Sequence, residues 1–179
     1  MSYDLFQHRH NFSAWAAARA VNPRFTTVRN LRDALENCGV VRFVKDPKSL
    51  EVDAKVFREL HRSWCVSVVD FLQDRHVRNV TFGRAAKLIA VYLKSMIILG
   101  SNPTSRLASV AYPPIDSILL RNLARSQSVD CKRGTRSRAP KWSMLSEAQY
   151  YDMVEHLRSF LNPEDPFWVI EQYWTVTDE

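Results

Sequence analysis

Apolar residues recur along this chain at helical spacing, and the polar residues between them supply recognisable starts and stops. Residues 3–20 place Leu5, Phe6, Phe12, Trp15, Ala16 and Ala18 on a helical pattern that ends near Asn22 and Pro23. Thr26 and Thr27 then cap a second helix through Val28, Leu31, Ala34 and Leu35, and Gly39 offers a left-handed stop. The GVVRFV stretch that follows has strand-like composition but no partner strand of similar quality, so it reads as an extended connector. From residue 50 to about 76 the apolar positions Val52, Val56, Leu60, Trp64, Val68 and Leu72 fall every four residues and predict a long helix.

A connector, RHVRN, leads to TFGRAAKLIAVYLKSM, whose Thr81 caps a helix that runs to about Leu99. Residues 104–111 read as loop, and Pro114 and Asp116 as the first turn of a helix through ILLRNLAR. Residues 126–143 lack periodicity and form a basic loop. Ser146 and Gln149 make a capping box for a helix reaching Leu161, and PFWVIEQYW predicts a short aromatic helix at the end. The expectation is an all-α single domain over 1–179, a compact bundle of six or seven helices. Four glycines and eight prolines in 179 residues agree, because tight hairpins need more turn material.

Within this frame the helix opened by Thr81 is anomalous. It is apolar on almost every side, yet Arg84, Lys87 and Lys94 share one stripe with Val91. Two readings are open. The stripe faces water with its lysine stems lying over apolar surface, or a base is held inside for chemistry. A lysine acts as a nucleophile only when neutral; burial and a neighbouring cation such as Arg84 favour that form. Asp116 likewise has a plain role, offsetting the helix dipole and binding free N–H groups, and a chemical one, stabilising positive charge that develops on a sugar.

The order is a lysine helix, then PPIDSILL with its proline-announced aspartate at a helix start. Over residues 75–122 this resembles the helix-hairpin-helix superfamily of base-excision DNA glycosylases. The separation of Lys87 from Asp116 is similar to that in the archaeal 8-oxoguanine glycosylase branch. Of the Gly-x-Gly pattern typical of the hairpin, NVTFGR keeps Gly83. The resemblance implies a glycosylase/lyase with Lys87 as the nucleophile and Asp116 as its assistant. Such an enzyme takes its base out of the duplex, and Trp142 and Trp168 are the stacking candidates, with Phe167 and Trp174 beside them.

Charge adds a partner. The formal net charge is +6, and Arg121, Arg125, Lys132, Arg133, Arg136, Arg138 and Lys141 face only Asp130 in their span. Reach, positive charge and the adjacent Trp142 are what contacts with nucleic-acid phosphates and bases require. Arg75, His76, Arg78 and Arg84 form a second basic cluster around the start of the lysine helix, where N-terminal amides add a phosphate seat. The alternative is a non-catalytic, basic helical module that binds nucleic acid or a protein partner. Three cysteines without a CxxC pair and five histidines without a ligand pattern predict no metal, no cofactor and a reducing, cytoplasmic setting. The polar, basic N-terminus lacks a signal-peptide core, and the run 88–99, broken by Lys94 and Ser95, is too short to cross a bilayer.

Overall fold

The computed structural model describes residues 3–21, 24–100, 102–127 and 141–175. Among these residues it contains helices and no strand. Eight α-helices follow in order: α1 (Leu5–Val21), α2 (Val28–Asn37), α3 (Val40–Lys45), α4 (Ala54–Asp74), α5 (Phe82–Leu93), α6 (Arg106–Val110), α7 (Ser117–Gln127) and α8 (Glu147–Arg158). Short 3-10 turns occupy Pro47–Glu51, Trp142–Met144 and Phe167–Tyr173. The all-α expectation holds, with more and shorter helices than the periodicity predicts.

Most helix starts are fixed by side chains. Thr27, Asp53, Thr81 and Ser105 each accept a hydrogen bond from a backbone N–H of the turn they open. At α8 the Ser146–Gln149 capping box forms in both directions. Asp116 caps α7, its Oδ1 accepting from the N–H groups of Ile118 (2.9 Å) and Leu119 (3.0 Å). The helix therefore begins one residue beyond Asp116, and Pro114 precedes its first turn.

Three sequence expectations fail in whole or in part. GVVRFV is helix α3, opened by Gly39 at φ 95°, where a residue without Cβ is at ease. The loop expected over 104–111 contains α6. The long central helix starts at Ala54 rather than at residue 50, because Pro47–Glu51 forms a separate 3-10 turn.

Helix α5 lies at the centre and packs against α1, α4, α8 and the Trp142–Met144 turn, with α2 closing over α1 and α4. Ala85, Ala86, Leu88, Ile89, Ala90, Tyr92 and Leu93 are all buried, which explains why this helix is apolar on nearly every side. It continues as a π turn over Lys94–Ile98, with Leu99 N–H donating to the Lys94 carbonyl at 2.9 Å. Two buried histidines of this core are paired across helices. His10 meets Tyr92 Oη through Nδ1 (3.0 Å) and Glu36 through Nε2 (3.2 Å). His61 Nδ1 meets Tyr151 Oη (3.1 Å), and complete burial pushes the His61 pKa down to about 3, so it stays neutral. Among the described residues no helix is long and apolar enough to cross a membrane, and no group of three or more His, Cys, Asp or Glu side chains is placed to hold a metal.

Candidate functional site

Thr81 fixes where α5 starts, and that start fixes which side of the helix Lys87 occupies. The side chain points inward. Lys87 and Asp116 are 9% and 13% exposed, and Nζ stands 3.3 Å from Asp116 Oδ2. The reading in which the basic stripe faces water is therefore wrong for Lys87. Asp116 fills the capping role expected of it through Oδ1, and its Oδ2 faces the lysine.

Two tryptophans close over the pair. Lys87 Nζ lies over the Trp142 ring, 4.3 Å from its centroid, so the ammonium has a π face on one side and a carboxylate on the other. Trp174 donates its indole N–H to Asp116 Oδ2 at 3.0 Å. Trp174 comes from the end of the chain, which Asn122 holds in place by donating to the Tyr173 carbonyl at 2.9 Å. Two turns beyond Lys87, at the start of the π turn, Lys94 pairs with Glu171 and stands 5.8 Å from the Trp174 ring centroid. Lys87, Asp116, Trp142, Trp174, Lys94 and Glu171 thus form one contiguous cluster.

The electrostatics are uneven. At Lys87 burial outweighs the nearby Asp116 carboxylate, and its pKa is lowered from the ordinary lysine value. At Asp116 burial acts to raise the pKa, but the Leu119 N–H, the Lys87 charge and the Trp174 N–H together hold it below the ordinary aspartate range. Glu171 is raised, chiefly by burial and also by the Asp116 charge, against the pull of Lys94. Lys87 is thus displaced toward the neutral amine while its partner remains an anion.

Arg84 does not contribute to this. Its guanidinium lies 4.3 Å over the Phe25 ring and donates to the Asn79 carbonyl at 3.1 Å. Burial, not a cationic neighbour, lowers Lys87. Arg84 instead lines a cavity of about 510 Å³ with Arg24, Phe25, His76, Arg78 and Asn79. His76 and Asn79 adopt left-handed backbone conformations there (φ 58° and 59°), which turn the connector tightly in front of α5. Arg84 Nε is buried and finds no hydrogen-bond partner among the described residues.

The other expected contacts divide. Arg75 is committed within the fold, donating to Asp33 Oδ2 (2.7 Å) and Asn30 Oδ1 (3.1 Å) while lying over Phe71, so it ties α4 to α2. Arg121 and Arg125 are exposed four residues apart on α7, and Lys141 is exposed at the start of the Trp142–Met144 turn. Lys132, Arg133, Arg136 and Arg138 lie outside the described residues. Of the basic loop expected over 126–143, Ser126 and Gln127 belong to α7 and Trp142 and Ser143 to a 3-10 turn, and residues 128–140 lie outside the described residues. Trp168, expected as a stacking residue, is half-buried, and its indole N–H finds no acceptor among the described residues. Phe167 belongs to the core, edge-on to Tyr112.

Sequence reasoning missed Glu171, Arg24 and the hydrogen bond from Trp174. Glu171 and Trp174 are three residues apart in the terminal segment, a spacing that puts them on one side of a tight helical turn. That was the available signal. Comparison of the chain with protein-family models, with curated proteins and with solved structures yields no match, so the geometry of this cluster carries the functional reading by itself.

Proposed function

We propose that this chain acts on DNA as a base-excision glycosylase/lyase, with Lys87 as nucleophile and Asp116 as its assistant. The observation that supports this most is the 3.3 Å Lys87–Asp116 pair, in which burial lowers the lysine's pKa from its ordinary value beside a carboxylate. In the proposed reaction the free amine attacks C1′ of the target deoxyribose as the glycosidic bond breaks and the base departs with a proton. Asp116 offsets the positive charge on the sugar and helps remove protons from the attacking nitrogen. The C1′–O4′ bond then opens, O4′ takes up a proton, and the open-chain sugar remains joined to Lys87 as an imine. The basic surroundings supply the phosphate contacts: Arg78 and Arg84 at the start of α5, and Arg121, Arg125 and Lys141 around the segment that leads into Trp142.

Trp142 and Trp174 cover the pair, so a target nucleotide reaches Lys87 only when one of them moves. Trp142 directly follows the basic segment, which links engagement of DNA by that segment to uncovering of the lysine. The same roof favours a second reading, a non-catalytic nucleic-acid-binding bundle in which the ion pair and its tryptophans are purely structural.

Borohydride reduction separates the two. The protein is incubated with duplexes carrying an abasic site, 8-oxoguanine or uracil, in the presence of borohydride. The enzyme reading expects a covalent protein–DNA adduct that Lys87→Gln abolishes while DNA binding persists. Absence of an adduct on every duplex, or an undiminished adduct with Lys87→Gln, rejects it.

A further inference from the structure

Helix α1 is built with its sizes reversed. The face turned to α5 carries Ser13, Ala14, Ala17 and Ala18, all buried, while Leu5, Phe12 and Trp15 point to solvent and Phe6 packs half-buried against the core. Leu5 is 62% exposed, Phe12 61% and Trp15 53%. The small inner face lets α1 lie close on α5. Nothing among the described residues accounts for the outer one, because folding one copy gains nothing from aromatic rings left in water.

The exposed positions have a register. Leu5, His8, Phe12, Trp15 and Arg19 are all exposed and follow one another at intervals of three, four, three and four. That is the spacing of a seam that meets another helix along its length. Phe12 and Trp15 already touch, with centroids 6.0 Å apart, and Tyr3 extends the patch by bonding to His8 Nδ1 at 2.8 Å. Leu5 also borders a cleft with Ile97, two residues before Leu99, the most exposed large apolar residue on the element packed against α1. A contiguous patch of this kind marks an interaction surface, unlike isolated exposed apolar residues.

The ends of the seam identify the occupant. Asp4 is exposed at the start of α1, its Oδ1 accepting from Gln7 N–H at 2.8 Å, and Arg19 is exposed in the last turn. Running antiparallel, two copies of this helix bring the Asp4 of each beside the Arg19 of the other and Phe12 against Phe12 at the centre. Running parallel, they set Arg19 against Arg19 and Asp4 against Asp4. We infer that α1 is a self-association surface on which a second copy of this chain docks antiparallel through Leu5, His8, Phe12 and Trp15, closed at each end by an Asp4–Arg19 pair.

The size of the patch sets the strength. Tyr3, Leu5, Phe12 and Trp15, each more than half exposed, offer roughly 400 Å² per copy. A pair therefore buries about 800 Å² of apolar surface before its polar rim is added, below the range of tight complexes. The dimer is accordingly concentration-dependent, dissociating in the range of about 10–100 μM.

Sedimentation velocity on the full chain, from about 1 to 300 μM, tests this. The wild type is expected to pass from monomer to dimer across that range, and Phe12→Ser and Trp15→Glu to remain monomers with unchanged helical circular dichroism. Arg19→Glu, which in the antiparallel arrangement sets a carboxylate beside the Asp4 of the other copy, is expected to weaken the dimer about tenfold. Adding Asp4→Asn, which keeps the helix cap, should recover most of that loss. A wild type that stays monomeric at the highest concentration overturns the inference, including the case in which it instead sediments with lipid vesicles. So do a dimer untouched by Phe12→Ser and Trp15→Glu and a dimer indifferent to Arg19→Glu. None of these outcomes depends on whether Lys87 is a nucleophile.

Discussion

At the scale of single residues, the chemistry turns on how many donors reach one carboxylate. Asp116 is stable as an anion in a half-buried place because Ile118, Leu119, Lys87 and Trp174 all donate to it. Of these, Trp174 is the donor whose replacement leaves the helix cap and the lysine intact. Trp174→Phe removes one hydrogen bond to a charged acceptor and should cost about 1–2 kcal/mol of stability at pH 7. The sign with pH follows from the depressed native pKa. The contribution is full above the ordinary aspartate value of about 3.9 and fades as pH falls through the lower native value. Urea unfolding of wild type and variant should therefore differ by a constant amount from about pH 8 to 5, and converge as pH falls through the lowered native value of Asp116. A difference that persists unchanged in acid would mean that Trp174 acts through packing and not through the carboxylate.

At the scale of elements, the close approach of α5 to the Trp142–Met144 turn decides the site, and Gly83 permits it. Gly83 N–H donates to the Leu145 carbonyl at 3.1 Å, and a Cβ at position 83 would stand 2.1 Å from the Trp142 carbonyl oxygen. In an ordinary helix interior Gly→Ala stabilises by about 1 kcal/mol. Here it must push a backbone segment away, so Gly83→Ala is expected to destabilise by about 2–3 kcal/mol and lower the melting temperature by about 5–10 °C. The reversed sign is the test, and a stabilised variant would show that the turn is free to shift. Legibility in the sequence follows the same division. The capped helices α2, α5 and α8 were readable because a side chain announces each start. Helices α3 and α6, six and five residues long, are too short for a 3.6-residue period to repeat, and the β-branched GVVRFV pulled the reading toward strand. The Ser105 cap of α6 was a usable sign that the loop reading passed over. Within the site, Lys87 and Asp116 could be picked out because each is tied to a helix start. The Glu171 and Trp174 contacts could not, since 77 residues separate Lys94 from Glu171 and 58 separate Asp116 from Trp174, and only the topology brings them together.

At the scale of the whole molecule, positive charge is not spread evenly, because many acids are already spoken for. Glu36 holds Arg32, Glu155 holds Arg58, Glu147 holds Arg62 and Asp33 holds Arg75, all at the surface. Cations engaged in this way have a partner to leave before they can meet a phosphate, although each such surface pair is worth no more than about 1 kcal/mol. Arg78 has no carboxylate partner among the described residues and lines the basic cavity in front of α5. Two arginines three residues apart should therefore behave differently toward DNA. Each phosphate neutralised contributes about 0.9 to the slope of log affinity against log salt. Arg78→Gln should lower that slope by about 0.9 in fluorescence-anisotropy titrations of a short duplex between about 50 and 200 mM salt. Arg75→Gln, by contrast, should leave the slope unchanged and show its effect as a small loss of thermal stability between α2 and α4. Equal slopes for the two variants would mean that the cavity in front of α5 is not where the backbone of DNA lies. Binding indifferent to salt throughout would remove nucleic-acid phosphates as the partner of this surface altogether.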